Sequence, residues 1–165
     1  MECRNYKSIF LSREKVEDCS SVSRNQKSRL CQSKTSYAKS NGNIHVADCH
    51  PDSDRGRVVV LGQGGDIINT YTRNTEINKD YLFQPVMIVT TPRDNVIVVD
   101  LDTDVFHILN NIGEYSTHYS TNDIAIICAL SLAFTPTGQL YIGCTRSLGS
   151  TTKEAMIYQV MLSGC

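Results

Sequence analysis

The 165-residue sequence lacks the features that mark membrane and secreted proteins. It contains no tryptophan and no Asn-x-Ser/Thr sequon, and no apolar run approaches the roughly 20 residues that a membrane-spanning helix needs. Met1 is followed by charged and polar residues, whereas a secretory signal carries an apolar segment of about 7 to 15 residues. These absences predict a cytoplasmic protein without a membrane partner.

Cysteine usage favours the same compartment. The chain has seven cysteines, which is an odd number, and no C-x-x-C pair. Secreted disulfide frameworks usually contain an even number, so we expect reduced thiols. The cysteines are Cys3, Cys19, Cys31, Cys49, Cys128, Cys144 and Cys165.

Charge divides the chain into two parts. Residues 1–40 carry nine Lys or Arg against four Asp or Glu, and residues 41–165 carry seven against thirteen. Residues 1–33 are also rich in Ser and Asn and poor in apolar residues, so little could offset the entropy of ordering them. We predict a disordered basic tail over 1–33. A nucleic-acid or membrane-surface arm is the functional alternative for this segment.

The stretch from Gln84 to Tyr119 divides into four short runs rich in Val, Ile, Phe and Tyr. The runs read PVMIVT, NVIVVD, DVFHIL and EYSTHY, and the separators contain Pro, Asp, Asn and Gly. Runs of this length and composition between turn-forming residues predict four consecutive antiparallel strands.

A similar pattern precedes and follows this stretch. Aligned on Asn43, Asn95 and Gln139, the repeats are 52 and 44 residues apart. A four-stranded unit that repeats every 40 to 50 residues or so is typical of β-propeller blades. We therefore predict an all-β fold, a partial β-propeller of about three four-stranded antiparallel blades over 34–165.

Two local expectations follow from the strand pattern. In NIHVAD the period of two puts Ile44 and Val46 on one face and His45 on the other, where His45 would be exposed or half-buried. The almost continuous apolar run Ile124 to Leu130 is dominated by β-branched residues and predicts a buried strand.

The repeated motifs resemble NHL repeats, the propeller blades at the C-terminus of many tripartite-motif proteins. The resemblance covers roughly residues 35 to 162. It rests on an opening P-x-x-I strand, a Pro-x-Gly/Asp-Asn/Gln turn, a strand ending in Asp, and a later glycine turn. The opening strand is Pro85 to Ile88, and the turns are Pro92 to Asn95 and Pro136 to Gln139. The strands that end in Asp are Val98 to Asp100 and Val46 to Asp48, and the glycine turns contain Gly65 and Gly113.

The sequence departs from that family at three points. Leu101 to Val105 stands where the family has Asn-x-Arg, and Gly143-Cys144 replaces the expected Asp. The chain holds only about three blades, whereas propellers have about four to eight. We expect a fragment of a larger protein, completed by missing blades or by self-association. By resemblance the larger protein would carry RING, B-box and coiled-coil parts.

Two clusters contain metal-ligand residue types. Asp100, Asp102 and Asp104 form a D-x-D-x-D start of a calcium loop, but Val105 and Asn111 stand where Gly and Glu are required, so a polar turn is favoured. The second cluster lacks a further pair of ligands at zinc-site spacing, so a solvated loop is favoured there. It comprises His45, Cys49, His50, Asp52 and Asp54.

We assign no catalytic, cofactor-binding or metal-binding role to the remaining candidate residues. Gly62 to Gly65 lacks the third glycine and the following helix of a phosphate-binding loop, which indicates a hairpin turn. His107 and His118 lie within strand runs, where partly buried, satisfied histidines are common. Cys128 and Cys144 are interpreted as small core residues.

The preferred function is a non-catalytic interaction module. By resemblance it would be the protein-binding, substrate-recognition end of a tripartite-motif-like ubiquitin ligase. RNA is a disfavoured partner because residues 41–165 carry a net charge of −6. The rival is a metal-dependent propeller hydrolase of the gluconolactonase or senescence-marker type, in which Asp48 and Asp100 end equivalent strands as metal ligands.

Overall fold

The computed structural model of the chain describes residues 12–16, 36–49, 56–124, 126, 129–144 and 155–161. These residues form twelve β-strands and one 3-10 turn, Asn122–Ile124. No helix among them is long and apolar enough to cross a membrane. The strands are β1 (Ser12–Val16), β2 (Ser36–Ser40), β3 (Asn43–Cys49), β4 (Gly56–Leu61), β5 (Ile67–Tyr71), β6 (Pro85–Thr90), β7 (Val96–Asp100), β8 (Val105–Leu109), β9 (Tyr115–Ser120), β10 (Ala129–Phe134), β11 (Gln139–Cys144) and β12 (Ala155–Met161).

The strands form three four-stranded sheets, and each described pairing is antiparallel. The first sheet has the order β2-β3-β4-β5, the central sheet β6-β7-β8-β9, and the third sheet β1-β12-β11-β10. β6 lies beside β2 and β3 on one side and beside β10 on the other. The predicted all-β fold with about three four-stranded antiparallel units is confirmed.

The central sheet is covered on both faces. One face contributes Ile97, Val99, Phe106 and Ile108 to a core shared with the third sheet. The opposite face contributes residues such as Val98 and Leu109 to a core shared with the first sheet. All five residues of β7 and all five of β8 are buried. Two covered faces explain why VIVVD and VFHIL read as continuous apolar runs.

Repeated turns join the strands. The carbonyl of Thr91 accepts the amide of Asp94 at 3.1 Å, and the carbonyl of Thr135 accepts the amide of Gly138 at 3.0 Å. Each threonine hydroxyl also accepts the backbone amide four residues later, at 3.1 Å in both turns. The two predicted Pro-containing turns therefore have the same geometry, which confirms that the sequence repeat is also a structural repeat.

Two glycines allow the first and central sheets to approach each other. The amide of Gly56 donates to the carbonyl of Phe83 at 2.9 Å, and a Cβ at Gly56 would overlap the ring of Pro85. Gly113 has φ of +80°, and a Cβ there would overlap Val60. A side chain at either position would separate the two sheets.

Part of the segment predicted to be a disordered tail is in a strand. Ser12–Val16 forms β1 and pairs with β12, with Ser12 opposite Gln159 and Val16 opposite Ala155. The pairing completes the third sheet with a fourth strand from the other end of the chain. Composition did not predict this strand, because edge pairing uses backbone groups that every non-proline residue carries. Residues 1–11 and 17–33 lie outside the described part of the chain.

The predicted buried strand over Ile124 to Leu130 is confirmed at its end and differs at its start. Ile124 belongs to the 3-10 turn Asn122–Ile124, whereas Ala129 and Leu130 lie in β10. Ile126 is fully buried, and its amide donates to the carbonyl of Thr121 at 2.9 Å. Residues 125, 127 and 128 lie outside the described part of the chain.

We expect the replacement Leu109→Ala to lower the free energy of unfolding by about 2 to 5 kcal/mol, because it leaves a cavity where the central sheet meets the first sheet. The matched control is Ile112→Ala, at a side chain that is 42% exposed and lies outside the first sheet. Its cost should stay within about 0.5 kcal/mol. Urea unfolding followed by circular dichroism measures both, and equal losses would contradict the double covering of the central sheet.

Candidate functional site

A buried polar cluster lies between the first and central sheets. It joins Tyr71 at the end of β5, His107 in the middle of β8 and Asp100 at the end of β7. The Tyr71 hydroxyl lies 2.8 Å from Nδ1 of His107, and Nε2 of His107 lies 3.5 Å from Oδ2 of Asp100. Asp100 and His107 are completely buried, and Tyr71 is 8% exposed.

Four further donors surround the Asp100 carboxylate. Oδ2 accepts from the side-chain amide of Asn78 at 2.6 Å and from the Thr103 hydroxyl at 2.7 Å. Oδ1 accepts the backbone amides of Gln84 at 2.9 Å and Asp102 at 3.3 Å. The carboxylate thus anchors the start of the central sheet and the loop before it.

These contacts set the ionisation of the cluster. Burial by itself raises the pKa of Asp100, but hydrogen bonds from His107, Gln84, Thr103 and Asn78 together lower the pKa below its ordinary value. Burial also raises the pKa of Tyr71, and repulsion from the tyrosinate form of Tyr115, at high pH, and from the Asp100 carboxylate raises it further. Asp100 is therefore ionised and Tyr71 is protonated at neutral pH.

The His107 ring lies between a carboxylate and a hydroxyl. An ionised carboxylate only accepts hydrogen bonds, and Nε2 of His107 faces the Asp100 carboxylate at 3.5 Å. Nδ1 shares a hydrogen bond with the Tyr71 hydroxyl. Phe83 and Tyr115 pack against the His107 ring, with centroid separations of 5.1 Å and 6.4 Å. The carboxylate, imidazole and hydroxyl groups follow one another as in a proton relay, but the cluster is closed to solvent. Its physical effect is therefore to join the two sheets.

His45 is where the sequence expectation was wrong. The His45 side chain is completely buried, while Ile44 on the opposite face of β3 is 39% exposed. Burial lowers the pKa of His45, and an interaction with the backbone of Asn110 offsets only part of that effect. Neither ring nitrogen has a hydrogen-bond partner of normal geometry. The face that meets the central sheet is the one with His45 and Ala47, since packing selects it.

The structure describes the two clusters of metal-ligand residue types in part. The Asp100 carboxylate is part of the polar cluster. It also accepts the backbone amide of Asp102, which is the side-chain-to-backbone turn contact that the sequence predicted. Cys49 is disulfide-bonded, in contrast to the expected reduced thiol. His50, Asp52 and Asp54 lie outside the described residues. Within the described part of the chain, no three His, Cys, Asp or Glu side chains are placed to hold a metal ion.

The remaining sequence candidates have structural positions. Gly62 to Gly65 forms the β4–β5 hairpin turn, with the Gly65 amide donating to the Gly62 carbonyl at 2.9 Å, as predicted. Cys144 is buried in the core, also as predicted, and its Sγ lies 3.5 Å from the carbonyl oxygen of Met156. His118 is exposed on β9, and its Nδ1 lies 2.7 Å from the Tyr115 hydroxyl. Cys128 lies outside the described residues.

The propeller-hydrolase alternative assigns Asp48 and Asp100 as metal ligands, and these two carboxylates lie in different environments. Asp48 lies on the outer face of the first sheet and pairs with Arg57 at 2.8 Å, with side chains 39% and 56% exposed. Asp100 is buried on the other side of that sheet, within the polar cluster. The two strand ends are equivalent in sequence, but their carboxylates point into different surroundings.

A second candidate site is the outer face of the first sheet, which no other described sheet covers. Its apolar part consists of two cross-strand rows. Ile44, Leu61 and Ile67 lie side by side, and Val46 pairs with Val59 in the next row. Ile67 is 66% exposed and Ile44 39%. We call this set of five side chains the apolar face.

The outer face of the third sheet has a different composition. The side chains opposite the core on β10, β11 and β12 are Ser131, Ala133, Gln139, Tyr141, Ile157, Gln159 and Met161, together with Gly143. Polar and small residues separate the apolar ones, so the apolar face of the first sheet has no equivalent at the other end of the described stack.

Sequence reasoning missed most of the polar cluster. Tyr71, Asn78 and Phe83 carried no motif, because their roles depend on a contact between two sheets. One signal was present, namely an Asp at the end of an apolar run in both repeats, Asp48 and Asp100. The structure shows that only the second is buried.

Comparisons with known proteins find distant structural likenesses. No protein-family model matches the chain, and no curated protein does. A luciferin-regenerating enzyme matches with a TM-score of 0.46 and 14% identity, covering 78% of this chain and 45% of that one. A protein of unknown function from Bacteroides caccae matches with a TM-score of 0.40 and 12% identity, covering 78% and 61%. This chain therefore spans less than two thirds of either protein.

These likenesses are distant and carry no argument about activity. Neither protein is described as an NHL-repeat protein. The narrower resemblance to that family stays a prediction.

The replacement Tyr71→Phe should lower the free energy of unfolding by about 1 to 3 kcal/mol, because it leaves Nδ1 of buried His107 without its hydrogen-bond partner. The control is Tyr115→Phe, which removes a hydroxyl bonded to exposed His118 and should cost less than about 0.5 kcal/mol. Chemical denaturation measures both variants. Equal costs would show that the Tyr71–His107 bond does not join the sheets.

Buried His45 should make stability depend on pH. Its pKa is lower in the folded than in the unfolded chain, where it is near 6.5. The unfolded state therefore binds the proton first as pH falls, and stability decreases below pH 6.5 or so. Denaturant titrations at pH 7.5 and 5.5 should show a steeper loss for the unaltered chain than for His45→Leu. The control His118→Gln should keep the steep loss, and identical slopes in all three proteins would contradict the assignment.

Proposed function

We propose that this chain is a non-catalytic protein-interaction module whose binding surface is the apolar face of the first sheet. The observation that supports the proposal is a pair of adjoining cross-strand rows, Ile44-Leu61-Ile67 and Val46-Val59, in which Ile44 and Ile67 are exposed and the other three side chains are partly buried. Contiguous apolar surface on a folded protein is characteristic of sites that bind other molecules.

The composition of the apolar face matches that of faces that are covered elsewhere in the chain. Neighbouring Val and Ile side chains on β7 and β8 are buried by the first and third sheets. Covering Ile67 and Ile44 in the same way would remove their apolar surface from water, which contributes about 25 cal/mol per Å². The matching partner is therefore another β-sheet with an apolar face.

The partner we propose is a second copy of this chain, packed face to face. Both copies would then bury their apolar faces in one closed contact, which is the property of a two-fold interface. The charged residues beside the face do not oppose it, since Asp48 and Arg57 neutralise each other at 2.8 Å. The outer face of the third sheet is less apolar and fits the alternative head-to-tail contact less well.

The other functional classes receive less support. The net charge of −6 over residues 41–165 disfavours RNA, because phosphate binding requires basic surface. The one relay-like group, Asp100, His107 and Tyr71, is closed to a substrate. Membership of a tripartite-motif-like ubiquitin ligase stays a prediction, which only the sequence motifs support. The propeller-hydrolase alternative likewise stays a prediction based on strand-end carboxylates.

The experiment is analytical ultracentrifugation of the full chain between 5 and 100 µM or so, a range that spans micromolar dimer affinities. We expect a concentration-dependent monomer–dimer equilibrium. Ile67→Asp should shift it towards monomer by tenfold or more, since the change places a charge on the most exposed side chain of the apolar face.

The matched control is Ala133→Asp, which adds the same charge to an exposed position on the outer face of the third sheet. It should leave the equilibrium unchanged. A monomeric unaltered chain at every concentration would overturn the proposal. Dissociation by Ala133→Asp, with no effect of Ile67→Asp, would move the contact to the third sheet.

A further inference from the structure

A cavity of about 180 Å³ lies between the central and third sheets. Ile97, Phe106 and Ile108 form its wall on the central sheet, and Leu140, Ile142 and Val160 form its wall on the third sheet. Protein interiors rarely leave voids much larger than a water molecule. This space, which is partly open to solvent, is larger than an ordinary packing defect between two sheets.

The cavity has the chemistry of a dry site. Its principal walls are aliphatic and aromatic, and they offer a water molecule few hydrogen-bond partners. Empty cavities of about 150 Å³ with such walls stay free of water and bind benzene-sized molecules. A single six-membered ring therefore matches the volume.

One charged side chain lies at the rim. Asp123 belongs to the 3-10 turn Asn122–Ile124 and is exposed, beside Ser120 and Ile124 of the cavity lining. The Thr121 carbonyl accepts the amides of Ile124 at 3.2 Å and Ile126 at 2.9 Å, which holds the turn in place. Among the described lining residues, Asp123 is the one that carries a charge.

We propose that the cavity is a binding site for a small aromatic amine, with the ring between the two sheets and the ammonium group at the Asp123 carboxylate. The apolar walls select the ring, and the carboxylate discriminates by charge in favour of cations. The site lies on the opposite side of the central sheet from the polar cluster. It is also separate from the apolar face, so it does not depend on the proposed dimer.

The test uses the full chain with isotope-labelled isoleucine methyl groups, which report position as well as affinity. Benzylamine should shift the methyl signals of Ile97, Ile108 and Ile142 in a saturable way. The signals of Ile44 and Ile67, on the outer face of the first sheet, should not move. Benzyl alcohol, the neutral analogue, should bind about threefold more weakly, because an exposed ion pair contributes modestly. Benzoate should bind more weakly still.

Two variants separate charge from shape. Asp123→Asn should make benzylamine and benzyl alcohol bind equally, whereas the control Asp80→Asn, which removes an exposed charge outside the lining, should keep the threefold difference. Val160→Phe should abolish binding by filling the cavity, and Val160→Leu serves the same purpose if the larger ring prevents folding.

The outcomes are distinct. Absence of saturable shifts with benzylamine would overturn the site, and so would shifts of equal size at Ile44 and Ile67, which indicate non-specific contact. Equal affinities for all three probes in the unaltered chain would overturn the role of Asp123 and with it the preference for an amine.

Discussion

The covering of the central sheet on both faces is the constraint on which the rest of the structure depends. β7 and β8 have no exposed residue, so the central sheet can exist in this form only between two others. Because burial of apolar surface is the main favourable contribution to folding, the first and third sheets are held by the sheet between them. The close approach at Gly56 and Gly113 and the placement of the polar cluster are consequences of this arrangement.

The two interfaces of the central sheet differ in kind. Towards the first sheet it contains an ionised carboxylate with hydrogen-bond donors on both oxygens, and a histidine and tyrosine connect that carboxylate to the neighbouring sheet. Such a network adds direction to an otherwise non-directional contact, because its partners must align. Towards the third sheet the contact is apolar and incompletely filled. A rigid interface on one side and a cavity on the other make the second the natural place for a small ligand.

The strands and the turn residues were largely predictable from the sequence. Which face of each strand is buried was not. The runs between Gln84 and Tyr119 are strands, and the turns at Pro92 and Pro136 form as their residues predict. His45 was placed on the wrong face because alternation in NIHVAD shows that two faces differ without showing which one meets another sheet. β1 was missed because a short polar segment becomes a strand when an open edge accepts its backbone. Tyr71 and Asn78 were missed because their hydrogen bonds join residues distant in sequence.

The sequence by itself determined the local elements: short β-branched runs, glycine and proline turns, and a repeat of 40 to 50 residues, which is the period of propeller blades. These features depend on φ/ψ preferences and side-chain alternation within a few residues. Only the tertiary structure decided which strand faces are buried and which apolar side chains stay exposed. It also decided that Asp100 is buried while Asp48 is partly exposed. The physical reason is that burial is a property of pairs of surfaces, so identical strand patterns have different surroundings when one sheet is central and another is terminal.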